Sequence, residues 1–115
     1  MTGTSEYSPA IDDLAKFYVE EKNGKISLYV PRFVPKRIIP FSFPRDYNDL
    51  RKVVIIGSGA SAMGCVETLK KNGYSGEITI VTKDYQLPYD KTRLSKEIKN
   101  LNYDDLLLRD KEWFE

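Results

Sequence analysis

The chain has 115 residues, 18 Lys+Arg against 17 Asp+Glu, one Cys and no His. The near-neutral balance points to neither nucleic acid nor an anionic membrane. The missing histidines exclude an imidazole base, a His-containing metal site and a Ser-His-Asp triad, so redox chemistry here would have to come from a bound cofactor.

The N-terminus, Met1-Thr2-Gly3-Thr4-Ser5-Glu6, has neither a basic start nor an apolar stretch, so no signal peptide is read. The longest apolar run, Val53 to Ile56, is too short to span a bilayer. A lone cysteine forms no internal disulfide, which fits a reducing compartment.

In residues 1–30, Phe17–Glu21 and Lys25–Val30 flank Lys22-Asn23-Gly24. Asn-Gly between alternating runs signals a β-hairpin, because both residues tolerate positive φ. A two-residue loop sets Val19 opposite Leu28, Glu21 opposite Ile26, Phe17 opposite Val30 and Tyr18 opposite Tyr29. One face is then largely apolar. Residues 31–50 hold prolines at 31, 35, 40 and 44, and read as a semi-extended connector.

Residues 51–115 carry the chemistry. Val53-Val54-Ile55-Ile56 suits a strand buried on both faces of a parallel sheet. A helix from about Ala60 to Asn72 follows, with Ala62, Val66 and Leu69 on one face, Lys70 and Lys71 in its last turn and Gly73 as cap. Ile78-Thr79-Ile80-Val81 is the second strand. The fold class is α/β: a β-α-β unit preceded by a hairpin segment.

Between the first strand and the helix lies Gly57-Ser58-Gly59-Ala60-Ser61-Ala62, a G-x-G-x-x-A fingerprint in the context that dinucleotide binding requires. Gly57 allows the tight turn. Gly59 lets a pyrophosphate approach the backbone. Ala62 keeps helix and sheet close, and Gly64 adds to this. The free N–H groups at the helix start hold phosphate charge. The alternative is a glycine-rich turn in another α/β protein. A ribose-binding acid belongs about 20 residues on. Asp84 is the candidate, with Lys83 before it; the alternative is a turn residue before Tyr85. Cys65 is expected to be a small buried thiol.

Leu87-Pro88-Tyr89-Asp90-Lys91-Thr92-Arg93-Leu94-Ser95-Lys96, with the glycine motif upstream, resembles the FAD-dependent pyridine-nucleotide oxidoreductases. The ferredoxin reductases and the apoptosis-inducing-factor-like flavoproteins are the groups it is most similar to. The resemblance implies a Rossmann-like domain, FAD as cofactor and NAD(P)H as hydride donor in the full-length enzyme. It places Gly57, Gly59 and Ala62 on the FAD pyrophosphate and Lys96 near the flavin ring. Lys91 stands where the family has an arginine, Thr92 and Arg93 where it has prolines, and Lys83 where it often has an acid. Leu106–Phe114 resembles the family's next helix.

Residues 1–30, including Ala10-Ile11-Asp12-Asp13-Leu14, resemble the closing hairpin of a Rieske domain, as in apoptosis-inducing-factor-3-like proteins. That centre needs two Cys and two His, so no iron–sulfur cluster is expected in this chain. The expected function is the FAD-binding part of an NAD(P)H-dependent oxidoreductase, lacking the NAD(P) domain and inactive alone, with FAD and the rest of an enzyme as partners. The alternative is a non-catalytic nucleotide-binding or protein-interaction stub. A cytoplasmic or mitochondrial setting follows from the resemblance alone.

Overall fold

Asn23 and Gly24 take φ values of 52° and 70°. Two successive left-handed residues make the turn whose twist matches a tight hairpin. β1 (Tyr18–Lys22) and β2 (Lys25–Tyr29) therefore pair antiparallel, with Val19 opposite Leu28 and Glu21 opposite Ile26. The ladder ends at Tyr18–Tyr29, whose rings lie 5.4 Å apart. The expected Phe17–Val30 pair falls outside it. The apolar side chains of this hairpin stay open: Val19, Ile26 and Leu28 are all exposed.

The computed structural model of the chain describes residues 3–6, 10–96 and 101–115. Thr2 and residues 7–9, part of the segment read as Rieske-like, lie outside the described residues. The structure divides into two units, Met1–Phe41 and Ser42–Glu115. In the first, an isolated antiparallel bridge joins Asp13 to Ile38, and Arg37 Nε donates to Asp12 Oδ2 at 2.8 Å. Residues 31–37 are exposed and have no regular structure.

The second unit is built around β3 (Lys52–Ile56), α1 (Ala60–Lys71) and β4 (Glu77–Val81). β3 and β4 pair in parallel, Val54 against Thr79 and Ile56 against Val81. The helix between them makes this a β-α-β unit. Asn72 and Gly73 (φ +86°) end α1, with Gly73 N–H donating to Lys70 and Tyr74 N–H to Leu69.

One face of α1 is buried through Ala62, Met63 and Val66, with Leu69 half-buried. Met63 completes the stripe, three residues before Val66. Cys65 is exposed, against expectation. It lies about 100° round the helix from Val66, on the side turned to solvent. Leu106 joins the core at 2 % exposure.

Two further expectations are corrected. β3 is not buried on both faces: Val53 and Ile55 are half-covered, whereas Val54 is 63 % and Ile56 87 % exposed. A buried parallel strand needs a layer on each side, and α1 supplies one. Residues 106–114 are not one helix. A 3-10 turn spans Tyr103–Leu106, and α2 is the single turn Lys111–Phe114. Asp110 separates them by capping α2, its Oδ1 accepting from Trp113 N–H at 3.0 Å.

Part of the expected connector packs into the second unit. Phe43 N–H donates to Lys70 O at 3.0 Å and Asp46 N–H to Ser75 O at 2.8 Å, while Arg45 pairs with Glu77 at 3.3 Å. The C-terminal segment is tied down by a buried ion pair. Arg109 is 1 % exposed, and its Nε lies 2.7 Å from Glu67 Oε1 on α1. Lys70 Nζ sits 4.0 Å from the Trp113 ring centre and donates to Trp113 O at 3.1 Å. Burial lowers the Lys70 pKa.

Candidate functional site

Gly57 leaves β3 at φ +103°, a region that L side chains rarely adopt. Its N–H donates to Val81 O at 2.7 Å, so the turn begins at the C-terminal ends of both strands. Gly59 is the N-cap of α1 and its carbonyl accepts from Met63 N–H at 3.1 Å. It has an ordinary extended conformation, φ −81° and ψ −175°, and a Cβ there would meet nothing within 4 Å. Neither backbone strain nor internal packing requires glycine at 59. What a side chain would obstruct is the open approach to the helix start.

No side chain caps that start and no acidic residue lies in its first turn. The first-turn N–H groups and the helix dipole thus face outward as a favourable place for negative charge. Ala60 and Ser61 are exposed beside them, and Ala62 turns inward. Gly64 lies in open space rather than against the sheet, so its expected share in helix–sheet packing is not seen.

Ser58 is the residue whose role the motif does not reveal. It is 5 % exposed. Its Oγ lies 3.0 Å from Thr82 Oγ1 and donates to Asp84 Oδ2 at 3.3 Å. Thr82 Oγ1 also accepts from Asp84 N–H at 3.1 Å. The end of β4 is thereby laced to the glycine turn. Lys91 completes the group, its Nζ 2.8 Å from the same Asp84 Oδ2 and 5.3 Å from the Tyr89 ring centre.

The Lys91 hydrogen bond is the main cause holding the Asp84 carboxyl below the ordinary carboxylate range, with help from Ser58 and from the Lys83 charge. Lys91 is raised in turn, chiefly by Asp84. Of the sequence-derived candidates, Gly57, Ser58, Gly59, Asp84 and Lys91 thus converge on one end of the parallel pair.

Lys96 is not part of this group. It follows the 3-10 turn Lys91–Arg93, is exposed, and its N–H donates to Arg93 O at 3.0 Å. Its charge acts on Asp90 instead. Asp90 caps that turn, its Oδ1 accepting from Thr92 N–H at 2.9 Å and Thr92 Oγ at 2.6 Å. Thr92, where the resembling family has proline, is therefore a structural partner here. A short antiparallel bridge anchors the segment: Asp90 N–H to Leu106 O at 2.8 Å and Leu108 N–H to Pro88 O at 3.0 Å. Tyr103 Oη donates to Leu87 O at 3.1 Å.

Elsewhere in the second unit a cleft of about 500 Å³ is lined by Phe43, Arg45, Tyr74, Ile78, Trp113 and others, and by no residue of the glycine turn. The glycine turn is the stronger candidate because its open approach and charge distribution suit a stated ligand chemistry. No described helix is long and apolar enough to cross a membrane.

No family model matches the chain, and no solved structure matches it. The chain is 34 % identical over 120 residues to apoptosis-inducing factor 3 of Homo sapiens, a match that spans 98 % of this chain and 20 % of that protein. It is 32 % identical over 123 residues to apoptosis-inducing factor 3 of Mus musculus, again over 98 % of this chain and 20 % of the relative. The ferredoxin–NAD(+) reductase component of the p-cumate 2,3-dioxygenase system of Pseudomonas putida is 44 % identical over 51 residues, 44 % of this chain and 13 % of that protein. The chain therefore spans about a fifth of the length of the first two relatives.

Proposed function

We propose that this chain, a homologue of apoptosis-inducing factor 3 and of dioxygenase-system ferredoxin reductases, is the FAD-binding part of an NAD(P)H-dependent flavoprotein oxidoreductase. The observation that carries this reading is Gly59, a glycine that neither its conformation nor its surroundings explain, at an open helix start. A dinucleotide pyrophosphate is the group whose approach such a glycine permits.

In this reading the β-α-β unit is the first part of a Rossmann-like domain. Gly57, Gly59 and Ala62 shape the turn, and the N–H groups of Ala60, Ser61 and Ala62 hold phosphate oxygens. Asp84 Oδ2 is taken by Ser58 and Lys91. Oδ1 accepts no hydrogen bond among the described residues and serves the adenine ribose. The Lys91 ammonium offsets the repulsion between Asp84 and the diphosphate. Lys96 is assigned to the flavin end by resemblance. FAD held at the turn of Gly57, Gly59 and Ala62 would supply the redox chemistry, as a carrier of hydride and electrons. The nicotinamide site is assigned to a separate domain, since the chain holds one glycine fingerprint. Residues 1–30 are read as a Rieske-like segment and residues 51–115 as the flavin-binding segment, to which the connector 31–50 is joined through residues 43–46, in a cytoplasmic or mitochondrial setting.

A second reading, a non-catalytic nucleotide-binding or protein-interaction stub, is favoured by the open apolar sheet face at Val54, Ile56 and Val81. Titration of the purified chain with FAD and with ADP separates the two. FAD binding with a flavin absorbance band, tighter than ADP binding, supports the flavoprotein. A folded chain that binds neither nucleotide overturns it.

A further inference from the structure

We infer that Ser58 is a positioning residue that sets the sugar selectivity of the nucleotide site by aiming the Asp84 carboxylate. The inference rests on the nucleotide-binding reading above and assigns one side chain a task in it.

The residue between the two glycines needs no particular side chain to make the turn, since the backbone requirements fall on Gly57 and on the approach to Gly59. Yet Ser58 is 5 % exposed, and burying a hydroxyl is unfavourable unless it is hydrogen-bonded. Its bonding directions both lead to the end of β4: 3.0 Å to Thr82 Oγ1 and 3.3 Å to Asp84 Oδ2. Asp84 has a rotatable, partly exposed side chain, 32 % open. Three groups restrain it. Thr82 Oγ1 accepts from its N–H at 3.1 Å, Lys91 Nζ donates to Oδ2 at 2.8 Å, and Ser58 Oγ donates to the same oxygen at 3.3 Å.

Lys91 is itself 51 % exposed and reaches Asp84 on a long flexible stem, so it neutralises the carboxylate but fixes its direction weakly. Ser58 is short, buried and attached to the turn that would carry the phosphates. It is therefore the group that locks the carboxylate plane relative to the glycine turn. With Oδ2 held from two sides, the remaining oxygen is the acceptor for a ribose hydroxyl.

The test uses the full 115-residue chain with ADP and 2′-deoxy-ADP, which share phosphates and base. The parent is expected to bind ADP more tightly than 2′-deoxy-ADP. Ser58→Ala is expected to weaken ADP about fivefold, the worth of about one hydrogen bond, and to leave 2′-deoxy-ADP unchanged, so that the ratio falls towards one. Ser58→Thr, which keeps the hydroxyl, restores the ratio, and in an Asp84→Asn background Ser58→Ala changes little. Thermal unfolding alongside identifies variants that no longer fold. Equal loss of both nucleotides from a folded Ser58→Ala chain overturns the inference, because a merely structural hydroxyl would act on both. Selectivity that persists in folded Ser58→Ala overturns it as well. A parent that binds neither nucleotide overturns the nucleotide-binding reading itself, and this inference with it.

Discussion

The hairpin and the β-α-β unit were equally legible in the sequence, and the protein uses them differently. β1 and β2 pair in the register that Asn23-Gly24 dictates, yet Val19, Ile26 and Leu28 remain open. In the second unit, Ala62, Met63, Val66 and Leu106 are closed off. A turn and an alternating pattern suffice to form a hairpin, but they bury nothing by themselves. A crossover helix lies on its own sheet and so creates a core from contiguous sequence. The sheet repeats the contrast within one element, with Val53 and Ile55 partly covered and Val54 and Ile56 turned out.

Substitutions in the two elements are expected to act unequally. The largest effect is expected at Arg109. Arg109→Ala leaves Glu67 without its buried partner and is expected to destabilise the second unit by about 3–5 kcal/mol. Denaturant unfolding followed by Trp113, the only tryptophan in the chain, reads this unit directly. Next, Met63→Ala is expected to cost about 2–5 kcal/mol by opening a cavity. Leu28→Ala, a similar truncation on the open hairpin, is expected to stay within about 0.5 kcal/mol. Comparable losses at the two sites would mean that the hairpin has a buried partner under the conditions of the measurement.

Gly59→Val sharpens the contrast from the functional side. It is expected to weaken ADP roughly a hundredfold, the worth of one or two charge-assisted hydrogen bonds. Leu28→Ala is expected to leave nucleotide affinity unchanged. Because a Cβ at 59 meets nothing in the fold, Gly59→Val should cost only the N-cap preference for glycine over valine, about 1 kcal/mol. Lost binding with a larger loss of stability would instead mark Gly59 as a folding residue.

The smallest effect concerns Asp84. Lys91 depresses its folded pKa below the ordinary carboxylate value, so the Asp84–Lys91 contribution is present above the ordinary value and is lost as pH falls through the lower folded one. NMR titration of the Asp84 carboxyl should show its midpoint below 3.8 in the parent and an upward shift in Lys91→Met. An unchanged midpoint in Lys91→Met would remove the ion pair from the site.

The candidate site was readable where it depends on local backbone. Gly57 and Gly59 stand between a β-branched run and a helical stripe, and that spacing determines a strand–turn–helix whose free N–H groups face outward. Asp84, which lies beside the glycine turn, was readable as an acid just beyond the second strand. The tasks of Ser58 and Thr82 were not, because their hydroxyls act across 24 residues, through strand pairing that the spacing alone does not specify. The Glu67–Arg109 pair was invisible for the same reason: neither neighbourhood suggests a buried charge, and 42 residues separate the partners. The expected helix at 106–114 failed because Asp110 caps a new turn while Arg109 is held by α1.

By itself the sequence determined the hairpin turn and its register, the β-α-β order and the glycine turn. Each of these follows from φ preferences and apolar periodicity over a few neighbouring residues. Tertiary structure decided that β3 is covered on one face, that Cys65 points to solvent and that segment 43–46 joins the second unit. It also decided that Asp84 is gripped by Ser58 and Lys91. Burial and hydrogen-bond partnership depend on which distant segments arrive, and no local pattern encodes that arrival.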